Sequence, residues 1–386
     1  MIAVVSLLLV SCHAQRGPAV RPTLDSRIKG ATLGALVADA LSLGTHYEYD
    51  AHRIAKFYGS FIGARYYAPG ERTGGETHGV GWGARNFHNG NGVGPPKKAG
   101  ENTDYGDYVM LILEHLAATA APARAEISLE ELIPRWQLAM KTWRSWKCTQ
   151  SRQTLQQVER GERDYAKLGG HSNAMSLRFP AALGYFETEE STVDAALTSM
   201  FTHQNEDARA GAAFFARVAY RVVHGGLRPR DAIDEVAAFS SIFIKQKVAQ
   251  AIAKVKEATD PATALSREEF VDDLALTSMA RLWDVDRDGG RVIKVGKASP
   301  TEGTLPGSLY FILKYENDLA AAASANAAVG GDNASRSIAI GMVLGGALGV
   351  EAIPARLGKG KLAVWDRAME LLNALPLTGQ RRRSEL

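Results

Sequence analysis

The sequence predicts an all-α fold, a single compact many-helix domain. Three observations carry this reading. Apolar residues recur at helical spacing through most of the 386 residues, as in Leu132, Trp136, Ala139, Met140 and Trp143. Two segments, Gly30 to Leu43 and Ser337 to Val350, set small residues three and four apart, which suits helices packed closely on their neighbours. Strand signals are few.

In chain order, the first helix covers Gly30 to Leu43. Val109 to Ala118 is an apolar helical run behind an acidic segment. Ser128-Leu129-Glu130-Glu131 has capping-box form, a hydroxyl and a Glu able to satisfy the open N–H groups of a helix start, and Pro134 falls early enough to be tolerated. Asp194 to Phe201, Asp207 to Val223, Pro229 to Phe243, Lys245 to Ala258, Leu309 to Ala328 and Val364 to Leu375 read as further helices. Two long loops interrupt them. Gly59 to Gly100 is rich in Gly, His, Asn and Pro, and Asp284 to Gly307 is the other. Long stretches without regular structure inside a domain often form lids or binding loops. No fixed-period repeat points to a solenoid.

A hydrophobic fraction of 46% and a charged fraction of 23% are ordinary for a globular protein and argue against disorder of the whole chain. The net charge of +3 gives no reason to expect a nucleic-acid partner, and the tight basic run Arg381-Arg382-Arg383 reads as a solvated tail over 377–386. The two cysteines, Cys12 and Cys148, build neither a disulfide framework nor a zinc site, and Cys148 reads as a small buried hydrophobe. Ile2 to Val10 is apolar but too short to span a bilayer. With no positive flank before it, residues 1–22 read equally as a cleaved signal, which would place the protein outside the cell, or as an N-terminal arm of a cytoplasmic one. The domain itself is expected over 23–376, as a monomer without a membrane span. Asp284-Val285-Asp286-Arg287-Asp288-Gly289 copies half of a calcium loop, but the bidentate Glu its twelfth position needs is Val295.

Two segments hold the candidate chemistry. Gly330-Gly331-Asp332-Asn333-Ala334-Ser335 and Glu101-Asn102-Thr103-Asp104-Tyr105-Gly106-Asp107 each put a carboxylate and a hydroxyl at the start of an apolar helix. Each alone is an ordinary N-cap, where side-chain oxygens meet unpaired N–H groups. Together they are also what an oxygen-ligand site for a hard cation such as Mg²⁺ requires.

With both segments in view, the chain resembles the ADP-ribosylglycohydrolase family from about Arg27 to about Leu375. Arg27 to Leu41 is similar to the family's first helix, G-x-x-x-G-x-x-x-G-D-A-L-G. Glu48 follows where the family has a functional glutamate, Thr103-Asp104 matches the start of its T-D-D-T motif, Thr202-His203 its T-H motif, and Gly330-Gly331-Asp332 the start of G-G-D-x-D-[ST]. His78-Gly79-Val80-Gly81 and Lys98-Ala99-Gly100 look closest to the branch of J-crystallins and selenoprotein J.

The resemblance implies removal of ADP-ribose from a modified protein or small molecule, with Mg²⁺. In that reading Glu48 is the acid/base group, and Thr103, Asp104, Asp332 and Ser335 hold the metal. His203 approaches the pyrophosphate or distal ribose, while Gly170, Ser172 and Asn173 bind substrate, with backbone N–H groups near Gly169-Gly170 cradling phosphates. The departures are equally specific. Tyr105 and Ala334 stand where the motifs have their second Asp, and Gly106 replaces the last Thr. The remaining set suits one Mg²⁺ better than two, with Asp107, one helical turn beyond Asp104, as a substitute ligand. The alternative is an ADP-ribose-binding or crystallin-like structural protein that turns over weakly or not at all.

Overall fold

The Thr23 hydroxyl accepts the Ser26 N–H and so starts helix α1 at Leu24, earlier than its small-residue pattern suggests; α1 runs Leu24–Ser42. The computed structural model describes residues 21–74, 84–121, 123–280, 282–283 and 293–379. The N-terminal apolar stretch with Cys12, His78-Gly79-Val80-Gly81, the calcium-loop lookalike and Arg381-Arg382-Arg383 lie outside them.

The helices that follow are α2 (Ala51–Tyr58), α3 (Ala84–Phe87), α4 (Asp104–Ala118), α5 (Leu129–Lys141), α6 (Thr149–Glu159), α7 (Glu189–Ser199) and α8 (Glu206–Val223). Then come α9 (Pro229–Ala238), α10 (Ile242–Thr259), α11 (Val271–Ser278), α12 (Thr301–Lys314), α13 (Leu319–Val329), α14 (Asn333–Leu348) and α15 (Trp365–Asn373). The sheet content among the described residues is one antiparallel pair, β1 (Leu282–Trp283) with β2 (Ile293–Lys294). One buried apolar cluster extends from Ile28 to Leu375, so the all-α, single-domain expectation holds.

The helix pair α1 and α14 forms the centre. Gly30 faces Gly345 and Gly34 faces Gly341, so the two run antiparallel with their backbones nearly touching. A Cβ added at Gly34 would lie 2.4 Å from the Gly341 carbonyl oxygen. Only hydrogen fits between these helices, which is the reason for the small-residue spacing in both sequences. The seam sets the C-terminal end of α1 beside the N-terminal end of α14, where the Ser42 and Ser337 hydroxyls are 2.6 Å apart.

Several boundaries differ from the sequence reading. The segment Pro229 to Phe243 stops at Ala238, and Ser241 starts α10 by accepting the Ile244 N–H. Leu309 to Ala328 is two helices, broken before Asp318, whose carboxylate caps α13 through the Ala321 N–H. Ser128 begins α5 without a side-chain cap bond, its backbone carbonyl taking the Leu132 N–H instead. Cys148 is half-buried and serves as a cap, its Sγ accepting the Ser151 N–H at 3.4 Å. α2, α3, α6 and α11 were not apparent in the sequence, and α12 begins at Thr301, inside the second expected loop. No helix among the described residues is long and apolar enough to cross a membrane.

Candidate functional site

The start of α4 is fixed from α1. Asp39, fully buried on α1, accepts from the Thr103 N–H at 2.8 Å, the Thr103 hydroxyl at 2.6 Å and the Asn102 amide at 3.0 Å. The Thr103 oxygen in turn takes the Tyr105 N–H and caps α4. Gly106 is glycine for the same reason: a Cβ there would sit 2.4 Å from the Asp39 carboxylate. Asp104, the first residue of the helix, is thereby directed into the protein interior, where its Oδ1 is buried without a hydrogen-bond partner. Burial, followed by the nearby Asp332 and Asp39, holds the Asp104 carboxyl well above the usual carboxylate range.

The start of α14 is fixed by backbone. The Gly331 N–H donates to the Glu48 carbonyl at 2.6 Å, the Tyr47 N–H to the Gly331 carbonyl at 2.7 Å, and the Asp332 N–H to the Lys297 carbonyl at 2.6 Å. Three distant segments are thus tied together. Gly330 and Gly331 have φ of 72° and 66°, a region open to glycine, and their missing side chains leave room for the Glu48 and Lys297 carbonyls. Arg336, wholly buried, clamps the turn by donating to the Gly330 carbonyl at 2.5 Å and to Asn326 Oδ1 at 2.8 Å.

Asp332 caps α14 through the Ser335 N–H at 3.2 Å. Its carboxylate also accepts from His46 Nε2 at 3.2 Å and from the Tyr105 hydroxyl at 3.0 Å. Burial pushes this carboxyl upward, but the His46 hydrogen bond and charge, the Ser299 hydroxyl and the Ser335 N–H outweigh it and leave it below the usual range. The two carboxyls are thus shifted in opposite directions, Asp332 downward and Asp104 upward. His46 Nδ1 faces His88 Nε2 at 2.9 Å, with the ring planes 26° apart and the centroids 5.2 Å apart, so the rings meet edge to edge. His46, His88 and Asp104 each offer a ligand atom within 4.8 Å of the others.

Sequence reasoning missed both histidines and Asp39. His46 lies two residues before Glu48, a proximity that was available; His88 sits in the long Gly/His/Asn loop with no spacing to mark it. The Glu48 carboxylate is buried, with Oε1 accepting the Asp50 N–H at 3.1 Å and Oε2 3.3 Å from Arg53 Nε. Between His46 and Glu48, Tyr47 adopts φ 62°, an uncommon conformation for a residue with a side chain.

The expected hydroxyl ligands are already engaged. The Thr103 proton goes to Asp39, and the Ser335 hydroxyl donates to the Asp332 carbonyl at 3.0 Å. Asp107 turns elsewhere: its Oδ2 accepts from Lys97 Nζ and from the Ser145 hydroxyl, both at 2.6 Å.

The expected substrate residues lie on neighbouring loops. His203 is buried, 2.8 Å from the Thr202 hydroxyl through Nδ1, and burial with the nearby Arg178 lowers it to about 3, so it is a neutral imidazole. Gly170 pairs with His203 in a short bridge, its N–H donating to the Thr202 carbonyl, while the Gly169 N–H donates to Gln157 Oε1. Both donors are consumed inside the protein, so the phosphate cradle expected there has no free N–H at these two glycines. The Asn173 carbonyl accepts the Thr301 N–H at 2.7 Å, its Oδ1 is buried without a partner, and Ser172 beside it is half-buried.

Burial raises Asp39 to about 6, against the lowering effect of its Thr103 and Asn102 bonds. A carboxyl raised on folding holds its proton longer in the native state. Its stabilising contribution is therefore full below about pH 4, its unfolded value, and is lost as pH rises through about 6. Urea midpoints measured between pH 4.5 and 7 should show this downward component, and it should be absent in Asp39→Asn. An equal slope in both proteins counts against it.

The family model described as ADP-ribosylglycohydrolase matches residues 20–385. Among solved structures, a chain titled ADP-ribosylglycohydrolase-related protein complex is similar with a TM-score of 0.54 at 18% identity, covering 91% of this chain and 97% of that one. At that identity the likeness concerns the fold. No curated protein matches the chain.

Proposed function

The chain belongs to the ADP-ribosylglycohydrolase family, and from that premise we propose that it binds an ADP-ribosylated protein or small molecule and hydrolyses the ADP-ribosyl bond slowly, with a single divalent cation. The observation that carries this is the convergence of two helix starts, which bring Asp104 and Asp332 to one buried cluster. The unpartnered Asp104 Oδ1 fits a cation, since a buried oxygen without a hydrogen bond is costly unless some ligand takes it up. Asp104 would hold the ion, with the charge of Asp332 close by to favour it, and when bound the ion would polarise the substrate and orient its ribose hydroxyls.

This chain's own residues do the rest. Glu48 exchanges a proton with water or the leaving group. Arg53 and the Asp50 N–H steady its carboxylate. His203, neutral, offers a hydrogen bond to the distal part of the ligand. The finer placement beside J-crystallins and selenoprotein J rests on motif wording, part of it outside the described residues.

A second reading, a binding or structural protein without turnover, has one specific observation in its favour. The Tyr105 hydroxyl donates to Asp332 where the motif has a carboxylate, and Asp107 is occupied by Lys97 and Ser145. Two positive charges close together need carboxylates to neutralise them, so two metals are not expected here.

Calorimetric titration with ADP-ribose, with and without a divalent cation, separates these readings. One site per chain is expected, tightened at least about fivefold by the cation. Absence of binding in both conditions favours the structural reading. Binding without release of ADP-ribose from a modified peptide favours the binding protein.

A further inference from the structure

We propose that the cation site of this chain is a nitrogen-containing one, built by His46, His88 and Asp104, that takes a borderline transition ion such as Zn²⁺ or Co²⁺ in preference to Mg²⁺. The inference rests on the reading above in placing a cation at this cluster, and it specifies which ion and which atoms.

The donor set is the first argument. Replacement of two motif carboxylates by Tyr105 and Ala334 removes hard oxygen ligands, and the groups that stand in the cluster are two imidazoles and one carboxylate. Imidazole suits Zn²⁺, Co²⁺ and their neighbours, whereas Mg²⁺ keeps oxygen ligands and water.

Geometry is the second. Donors adjacent on an ion with bonds of about 2.1 Å lie about 3.0 Å apart at right angles and about 3.4 Å apart at tetrahedral angles. His46 Nδ1 and His88 Nε2 are 2.9 Å apart. A cation bound to both nitrogens would displace the shared proton to solvent and sit beside the line that joins them, with the two rings turned toward it.

The third argument is the support behind the ligand. A histidine that binds metal through one nitrogen commonly donates its other N–H to a carboxylate, which fixes the tautomer and the ring orientation. His46 Nε2 donates to Asp332 Oδ1, and Asp332 is itself held by the Tyr105 hydroxyl and the Ser335 N–H. In the tautomer with Nε2 as donor, the Nδ1 lone pair faces His88. Tyr47 stacks on the His46 ring with centroids 4.1 Å apart, restricting it further. In this arrangement Asp332 steadies the ligand, and Tyr105 is a positioning residue for Asp332. The third donor is Asp104, whose Oδ1 is buried and unpartnered.

The full-length protein, stripped with chelator, should be dialysed against Co²⁺, Zn²⁺ or Mg²⁺ alone. One equivalent of Co²⁺ per chain is expected, with visible absorption bands showing nitrogen ligation, displaced by Zn²⁺ and unaffected by equimolar Mg²⁺. His88→Gln and His46→Asn should each weaken Co²⁺ at least about tenfold. His52→Gln, on an exposed histidine, should not. Circular dichroism shows whether each variant is folded; should either fail, imidazole proton signals of the unmutated protein, shifted for two histidines as Zn²⁺ is added, give the same answer. Mg²⁺ bound as tightly as Co²⁺, or Co²⁺ bound without involvement of His46 and His88, overturns the proposal. Tight ADP-ribose binding with Mg²⁺ and no Co²⁺ site would sink this inference and leave the proposed function standing. A histidine-bound Co²⁺ with no ADP-ribose affinity would do the reverse.

Discussion

Gly341→Val should destabilise the protein by more than about 3 kcal/mol and remove ligand binding with it. A Cβ at Gly341 would lie 2.2 Å from the Gly34 carbonyl oxygen and 2.5 Å from its carbon, where contact distances of about 3.5 Å are needed. The obstructing atoms belong to the backbone of α1, so no side-chain rotation relieves the clash. The helices must part, and wholly buried Ile338 and Val343 on the same helix lose packing as they do. The site responds because Asp39 and Asp332 sit at adjoining ends of this pair. Urea denaturation measures the loss. Gly360→Asn is the comparison: its φ of 75° suits Asn and nothing lies within 4 Å, so a cost well under about 1 kcal/mol is expected. Similar midpoints for the two variants would refute the account of the seam.

The second large effect is expected from Asp332→Ala, about 3–5 kcal/mol of stability. The substitution strands the Tyr105 hydroxyl, the His46 Nε2–H and the Ser335 N–H in the interior. An opposing gain comes from removing repulsion with Asp104. That gain is limited, because the Asp104 carboxyl is already held well above its ordinary range. Asp332→Asn keeps the shape and one acceptor and should cost less than the alanine variant. Chemical denaturation at pH 7 tests the order; an alanine variant within about 1 kcal/mol of the parent contradicts it.

Much of the frame was legible in the sequence. Gly30, Gly34, Gly341 and Gly345 announce a close helix pair, because only the absence of side chains permits it. Asp104 and Asp332 were found because a carboxylate at a helix start has a physical reason to be there. The departures at Tyr105 and Ala334 were visible too. What remained hidden depends on where hydrogen bonds end. Nothing in the spacing of His46 and His88 shows that the fold brings them to 2.9 Å. The Gly169 and Gly170 N–H groups looked free because the sequence does not say that Gln157 and Thr202 claim them. Asp107 looked like a substitute ligand because its helical phase is right, yet Lys97 and Ser145 lie closer to hand. The break before Asp318 was missed since apolar periodicity continues across it.

The three backbone bonds that join Tyr47, Glu48, Lys297, Gly331 and Asp332 have a further consequence. They are made by main-chain atoms, so beyond the need for glycine at 331 the path they fix does not depend on which donor atoms the neighbouring side chains carry. Donor atoms in the pocket can be exchanged, carboxylate for phenol or for imidazole, while the chain path that presents them persists. The chemistry of this centre is therefore separable from its architecture: a handful of substitutions at 46, 88, 105 and 334 would retune what it binds without asking the protein to learn a new fold.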